Sequence, residues 1–156
     1  MFLFRPRVKL SFIVKSKKWN NKIPSIQKLS DKVVATCFKV IKHPVVRGME
    51  ISVVLTGDKE IQLLNKEYRR KNKPTNVLSF ETGDEILLGD IVMSIDTLMR
   101  EAKEQKKSLE NHYVHLLCHG VLHLLGFDHI DDDEANEMEF FEIEILRRLK
   151  IANPYE

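Results

Sequence analysis

A single domain combining α-helices with β-strands is what this 156-residue sequence predicts, spanning residues 1–156. Three observations carry that prediction. Hydrophobic residues make up 43% of the chain and charged residues 31%, enough apolar side chain for a buried core. Four short segments carry strand patterning, and five longer ones carry helical periodicity.

In the first strand candidate, residues 7–15, Val8, Leu10, Phe12 and Val14 alternate with Lys9, Ser11 and Lys15, as one face of a strand does. The Asn20-Asn21 turn leads to Pro24, whose fixed φ suits the first turn of a helix with Ile26, Leu29, Val33, Cys37, Val40 and Ile41 on one side. Glu50 to Thr56 predicts a second strand. Asp58 then caps a helix carrying Ile61, Leu64 and Tyr68, which ends in the basic loop Arg69-Arg70-Lys71-Asn72-Lys73-Pro74. Val77 to Phe80 and Asp90 to Ser94 are further strands, joined by an acidic connection around Gly83 and Gly89.

Helical periodicity returns from Ile95 to about Lys106 and again from Ser108 to Leu125. The second half of the latter is apolar almost all round, as in a helix at a domain centre, and Gly126 breaks it. Asp131 with Glu134 three residues on resembles a capping box, opening a last helix with Met138, Phe141, Ile145 and Leu149 inward. The Asp131-Asp132-Asp133 cluster is therefore a helix start rather than a second metal site.

No stretch approaches the roughly 20 apolar residues that a membrane span needs, so the sequence predicts a soluble protein without a membrane partner. Cys37 and Cys118 lack C-x-x-C spacing and suit a reducing compartment, here the cytoplasm, as small buried residues. The formal net charge is only +2, but its sign separates along the chain. Eight Lys/Arg residues and no acid lie from Arg5 to Lys28, and eight acids and no base lie from Asp131 to Glu144. Strand-like alternation in the basic segment argues that it is part of the fold and not a presequence.

The segment H-G-V-L-H-L-L-G-F-D-H from His119 carries the strongest chemical signal. Residues i and i+4 share a helix face, so His119 and His123 can present two imidazoles to one ion. Gly126 tolerates the left-handed conformation that turns the chain and returns His129 to the same point. Three imidazoles suit one zinc ion and leave a coordination position vacant, since Cys118 points about 100° away from His119 around the helix. Such an ion lowers the pKa of bound water to about 7, which is hydrolase chemistry. The spacing is also that of metzincin proteases, but Gly120 stands where those carry the glutamate base. Asp128 beside His129 can orient an imidazole from outside the ligand set or stabilise the turn, and both roles stay open. His115, one helical turn before His119, can approach the site but suits a core position better.

Five of the eight residues from Lys66 to Lys73 are basic, so Arg70, Lys71 and Lys73 are candidates for neutralising phosphates, although a solvated loop is the commoner explanation of such a cluster. With the loop and the histidines in hand, the chain resembles the YbeY family through Y-R-R-K-N-K-P-T-N-V-L-S-F from Tyr68, L-G-D-I-V-M-S from Leu88 and the histidine segment. The resemblance covers most of the chain from about residue 50. It implies an α+β fold with a small, mixed four-stranded sheet packed by about five helices, and zinc on His119, His123 and His129 at the end of a buried helix. It also implies single-strand-specific endoribonuclease activity in ribosomal RNA maturation, at the 3′ end of the small-subunit RNA, and in ribosome quality control, with ribosomal RNA and small-subunit proteins as partners.

By position, Arg69 matches the arginine of the family's catalytic cleft and would stabilise charge on the phosphodiester, with water activated by the metal or the RNA 2′-hydroxyl as nucleophile. Asn76 stands where family members often carry Asp and is assigned no acid-base role. The alternatives are a metallopeptidase-like zinc hydrolase, weakened by Gly120, and a non-catalytic, metal-binding ribosome-assembly factor.

Overall fold

A computed structural model describes residues 5–156. Four strands form one sheet: β1 (Lys9–Val14), β2 (Glu50–Thr56), β3 (Val77–Glu81) and β4 (Leu87–Ser94), in the spatial order β1-β2-β4-β3. β1, β2 and β4 run parallel, while β3 lies antiparallel to β4 at one edge. The sheet is therefore mixed. Among the described residues five α-helices accompany it: α1 (Ile26–Ile41), α2 (Asp58–Arg69), α3 (Ile95–Glu104), α4 (Leu109–Leu124) and α5 (Asp132–Arg148). Among the described residues no helix is long and apolar enough to cross a membrane.

Strand alternation divides the helices between the two sheet faces. Ile51, Val53 and Leu55 of β2 and Ile91 and Met93 of β4 are buried on the face that receives α1 and α4, with α5 packed against those two helices. Val92 of β4 and Leu78 of β3 point to the other face, where Ile61 of α2 covers them with help from Val54, Leu64 and Phe80. The period of two in the strands thus builds both cores. α4 is the central helix, with Tyr113, Val114, Leu117, Cys118, Val121 and Leu122 at or near zero exposure. Cys37 of α1 and Cys118 are both free, buried thiols.

At Gly120, α4 meets the sheet directly. A Cβ there would stand 2.9 Å from Ile91 Cγ2 and 3.2 Å from Ser79 Oγ. A glutamate at this position would be driven into the sheet. The absence of a protease-type base is thus tied to how closely the helix seats on β3 and β4.

Several local expectations change. Pro24 does not enter α1, because Ser25 adopts a left-handed conformation (φ 50°) and the helix begins at Ile26. A short 3₁₀ turn, Lys17–Trp19, precedes it, and Trp19 is buried with its indole donating to the Thr56 carbonyl at 2.8 Å. β4 starts at Leu87 rather than Asp90, since Glu50 of β2 pairs with Leu87 across a register shift. Tyr68 is 60% exposed and sits edge-on to Phe80 at 5.2 Å instead of entering the core. Ser108 and Asp131 do cap α4 and α5, accepting from the Asn111 and Glu134 amides.

Asp58 is not a cap. Gly57 holds the cap position, and Asp58 turns its carboxylate toward α3, accepting from Ser94 Oγ and Thr97 Oγ1, each at 2.6 Å, and pairing with Arg100 at 2.8 Å. Burial pushes this carboxyl up, but the hydrogen bonds from Ser94, Thr97 and Arg100 outweigh it and hold the pKa below the ordinary 3.8. A depressed folded-state pKa means that the stabilisation is full above the ordinary value and is lost as pH falls through the folded one. Asp58→Ala is therefore expected to lower unfolding free energy by about 1–3 kcal/mol at pH 7. In urea titrations the gap from wild type should close below pH 4; a gap of constant size would show that the carboxylate charge is not what ties α2 to α3.

A candidate metal centre in a basic cleft

The last two turns of α4 lie beside β3, and there the three histidines converge. One ring nitrogen from each of His119, His123 and His129 lies within 4.8 Å of the others. His119 Nε2 and His123 Nε2 are 3.1 Å apart. Tetrahedral zinc with nitrogen ligands at roughly 2.0–2.1 Å separates neighbouring donors by about 3.3 Å, so the cluster suits one ion with little movement. Burial and the neighbouring His119 and His123-facing His129 rings push the His123 pKa down to about 4, which leaves it neutral with a lone pair to donate.

Each histidine of the cluster is positioned by a separate local cause. The i, i+4 spacing on α4 aligns the first two rings, whose centroids are 4.6 Å apart. Gly126 at φ 98° then reverses the chain, with the Phe127 amide closing on the Leu122 carbonyl at 3.0 Å. His129 arrives on the following loop, its ring 5.1 Å from that of His123. Asp128 accepts from the His129 amide at 2.8 Å, so its carboxylate braces the turn. Cys118 makes no approach to the cluster. Its hydrogen bond with Cys37 and its burial both raise its pKa, keeping it a protonated core thiol.

A carboxylate that orients an imidazole comes from α5. Glu142 is fully buried, and its Oε1 accepts from His119 Nδ1 at 2.5 Å. An ionised carboxylate only accepts, so the proton sits on Nδ1 and the His119 Nε2 lone pair faces the cluster. Tyr155 donates its hydroxyl to Glu142 Oε2, and His115 Nε2 lies 3.7 Å from the same oxygen. Burial pushes the Glu142 carboxyl up, yet His115, His119 and Tyr155 together hold it at about 2. Sequence reasoning missed Glu142 within an acidic run. The available signal was periodicity, because Glu142 falls between Met138 and Ile145 on the buried face of α5.

In front of the histidines opens a cleft of about 660 Å³, bordered by Arg69, Lys71, Lys73, Asn76, Ser79 and Tyr155 as well as the three rings. Arg69 is the last residue of α2, not part of the loop, and its Nη2 donates to the Ser79 carbonyl at 2.9 Å. Its guanidinium carbon lies 5.9 Å from the centre of the Phe80 ring. These contacts turn the arginine toward the cleft while leaving other N–H groups free to bind an anion. Buried Asn65 shapes the basic loop by donating to the Lys73 carbonyl at 2.9 Å. Arg70 takes a left-handed conformation at the helix end (φ 59°) and does not border the cleft. Asn76 donates to Glu101, a bond unrelated to acid-base chemistry.

Comparison with known proteins gives one consistent result. Residues 13–150 match the family model described as Endoribonuclease YbeY. Proteins of that name from Francisella philomiragia (48% identical, covering 76% of this chain and 82% of the relative) and Alteromonas mediterranea (51%, covering 75% and 77%) are similar to it. So is one from Colwellia psychrerythraea, 54% identical over 70% of this chain and 74% of its own length. A solution structure of a Thermotoga maritima protein shares the fold at a TM-score of 0.57 and 22% identity, covering 92% of this chain and 91% of that one.

The positive φ of Gly126 yields a direct test, because no atom would contact an added Cβ and only backbone strain opposes one. Gly126→Val should displace His129 and weaken divalent-metal affinity at least tenfold, on the order of 1.4 kcal/mol or more, in a chelator-competition titration. Helical content should stay at the wild-type level. Unchanged affinity would mean that His129 is not held by this turn.

Proposed function

The chain belongs to the Endoribonuclease YbeY family, and on that basis we propose that it is a zinc-dependent, single-strand-specific endoribonuclease of ribosomal RNA maturation in the cytoplasm. Family membership makes it a hydrolase of RNA phosphodiester bonds. The observation that carries the proposal is the convergence of a three-imidazole cluster and an anchored arginine on one cleft.

His119, His123 and His129 would hold one zinc ion, a borderline-soft cation for which neutral imidazoles are good ligands. Bound there, zinc supplies Lewis acidity toward a phosphoryl oxygen and a lowered pKa for water at neutral pH. Arg69 binds the scissile phosphate through its remaining N–H groups and stabilises the charge that builds on it. Lys71 and Lys73 neutralise flanking phosphates along the rim. A single strand can bend its phosphates into a cleft of this volume, whereas a duplex keeps them on the outside of a stiff rod. The substrate proposed is the 3′ end of small-subunit ribosomal RNA, with small-subunit proteins as partners and a place in ribosome quality control.

The test is cleavage of labelled single-stranded RNA, duplex RNA and a peptide library by metal-analysed protein. Arg69→Ala is expected to slow single-strand cleavage by about 10²–10³-fold with zinc content unchanged. His123→Ala should lose zinc and activity together. Cleavage that survives both substitutions would identify a contaminating nuclease. Peptide cleavage alone would make the protein a metallopeptidase, and binding of small subunits without any cleavage would make it an assembly factor.

A separate check is ionic strength. RNA affinity of the wild type should fall linearly in log–log terms with salt, and the combined Lys71→Ala, Lys73→Ala variant should flatten the slope by about 1.4, at roughly 0.7 per phosphate contact on single strands. A slope equal to wild type would remove these lysines from the RNA path.

A further inference from the structure

We propose that Glu142 and Tyr155 are positioning residues for the metal centre, a relay in which the segment after α5 fixes the orientation of a ligand on α4. The inference rests on the three-histidine metal assignment above. It adds two residues that do not bind the ion.

Glu142 comes from a different element than any of the three histidines, 23 positions from His119, and is completely removed from solvent. Burying a carboxylate costs several kcal/mol unless its oxygens are matched by donors or by positive charge. No lysine or arginine pairs with it among the described residues, where its ion-pair partners are His115 and His119 alone. A buried salt bridge serving only the fold would ordinarily use a permanent cation. Here the carboxylate faces the back of an imidazole whose other nitrogen points into the metal cluster, so a cation in the cluster would supply the missing charge through one ring.

The two oxygens of Glu142 are divided. Oε1 takes the His119 Nδ1 proton, and Oε2 takes the Tyr155 hydroxyl. With both oxygens engaged the carboxylate has one rotamer, and His119 in turn has one tautomer and one ring orientation. Tyr155 is held in its turn, with its amide on Asn153 Oδ1 at 2.8 Å and its ring edge-on to His115 at 5.8 Å. Because Tyr155 also borders the cleft, the segment after α5 closes the chain of contacts from the cleft wall to the ligand. Gln at 142 keeps the volume and one acceptor but loses the charge. Phe at 155 loses only the hydroxyl.

The experiment measures cobalt and zinc affinity by chelator competition, the visible spectrum of the cobalt form, and the melting temperature of metal-free protein, for wild type, Glu142→Gln, Glu142→Ala and Tyr155→Phe. Affinity should fall about 10–100-fold for Glu142→Ala, in the range for groups that orient metal ligands, and by less for Glu142→Gln and Tyr155→Phe. The cobalt absorption bands should shift in each variant as the His119 ring reorients. Should Glu142→Ala fail to fold, the two conservative variants carry the test. Wild-type affinity and an unaltered cobalt spectrum in the conservative variants, with only a lower metal-free melting temperature, would make the relay a purely structural contact and overturn the proposal. A wild-type protein that takes up no cobalt or zinc would overturn the metal assignment itself, and the relay with it.

Discussion

Helix α4 seats on the sheet with no side chain of its own at residue 120, and where His119 and His123 stand follows from that contact. A Cβ would lie 2.9 Å from Ile91, a core residue of β4, and 3.2 Å from Ser79 of the neighbouring edge strand. His119 and His123 flank this point on α4, so the depth of the contact sets where their rings stand relative to β3. Ser79, on the other side of the same contact, offers its carbonyl to Arg69. His119, His123 and Arg69 are therefore referenced to one junction, while His129 is set by the turn at Gly126. Close packing transmits any change there, since a larger side chain must either lift α4 or displace Ile91.

How legible this was in the sequence depended on the range of the interactions. Elements governed by local rules were readable: Glu50 to Thr56 alternates and forms β2, Ser108 caps α4, and Asp131 caps α5. The histidine cluster was readable too, because i, i+4 spacing and a breaking glycine are local geometry. Features that depend on a distant partner were not. Asp58 has the composition of a cap, yet Ser94, Thr97 and Arg100 claim its carboxylate from across α3. Tyr68 fits a helical stripe, but it only meets Phe80 edge-on and stays largely exposed.

Asp128 and Glu142 illustrate the same limit within the site. Asp128 adjoins His129 in sequence, and one of its carboxylate oxygens accepts from the His129 amide. Glu142 is 23 residues from its imidazole and sits in a run of eight acids that otherwise reads as a solvated face. Only its place on the inward stripe of α5 set it apart. Long-range pairing of α5 with α4 was not encoded in any local pattern, so the group that orients His119 emerges only from the packed structure.

The arrangement of charge around α4 bears on what the cleft can hold. Behind the histidines lies a buried carboxylate, and in front of them lie Arg69, Lys71 and Lys73. A divalent cation on three neutral imidazoles would face three further positive charges across the cleft, against Glu81 and Asp128 on its border and Glu142 behind the histidines, which leaves the balance positive. That combination repels free cations and draws an anion to the space between the ion and the arginine. A phosphodiester brings one negative charge per linkage and two oxygens that can face opposite partners. Substrates without such a regular charge would leave the excess positive charge of the cleft uncompensated beside the ion. The electrostatics of the cleft thus favour a polyanion independently of the family to which the chain belongs.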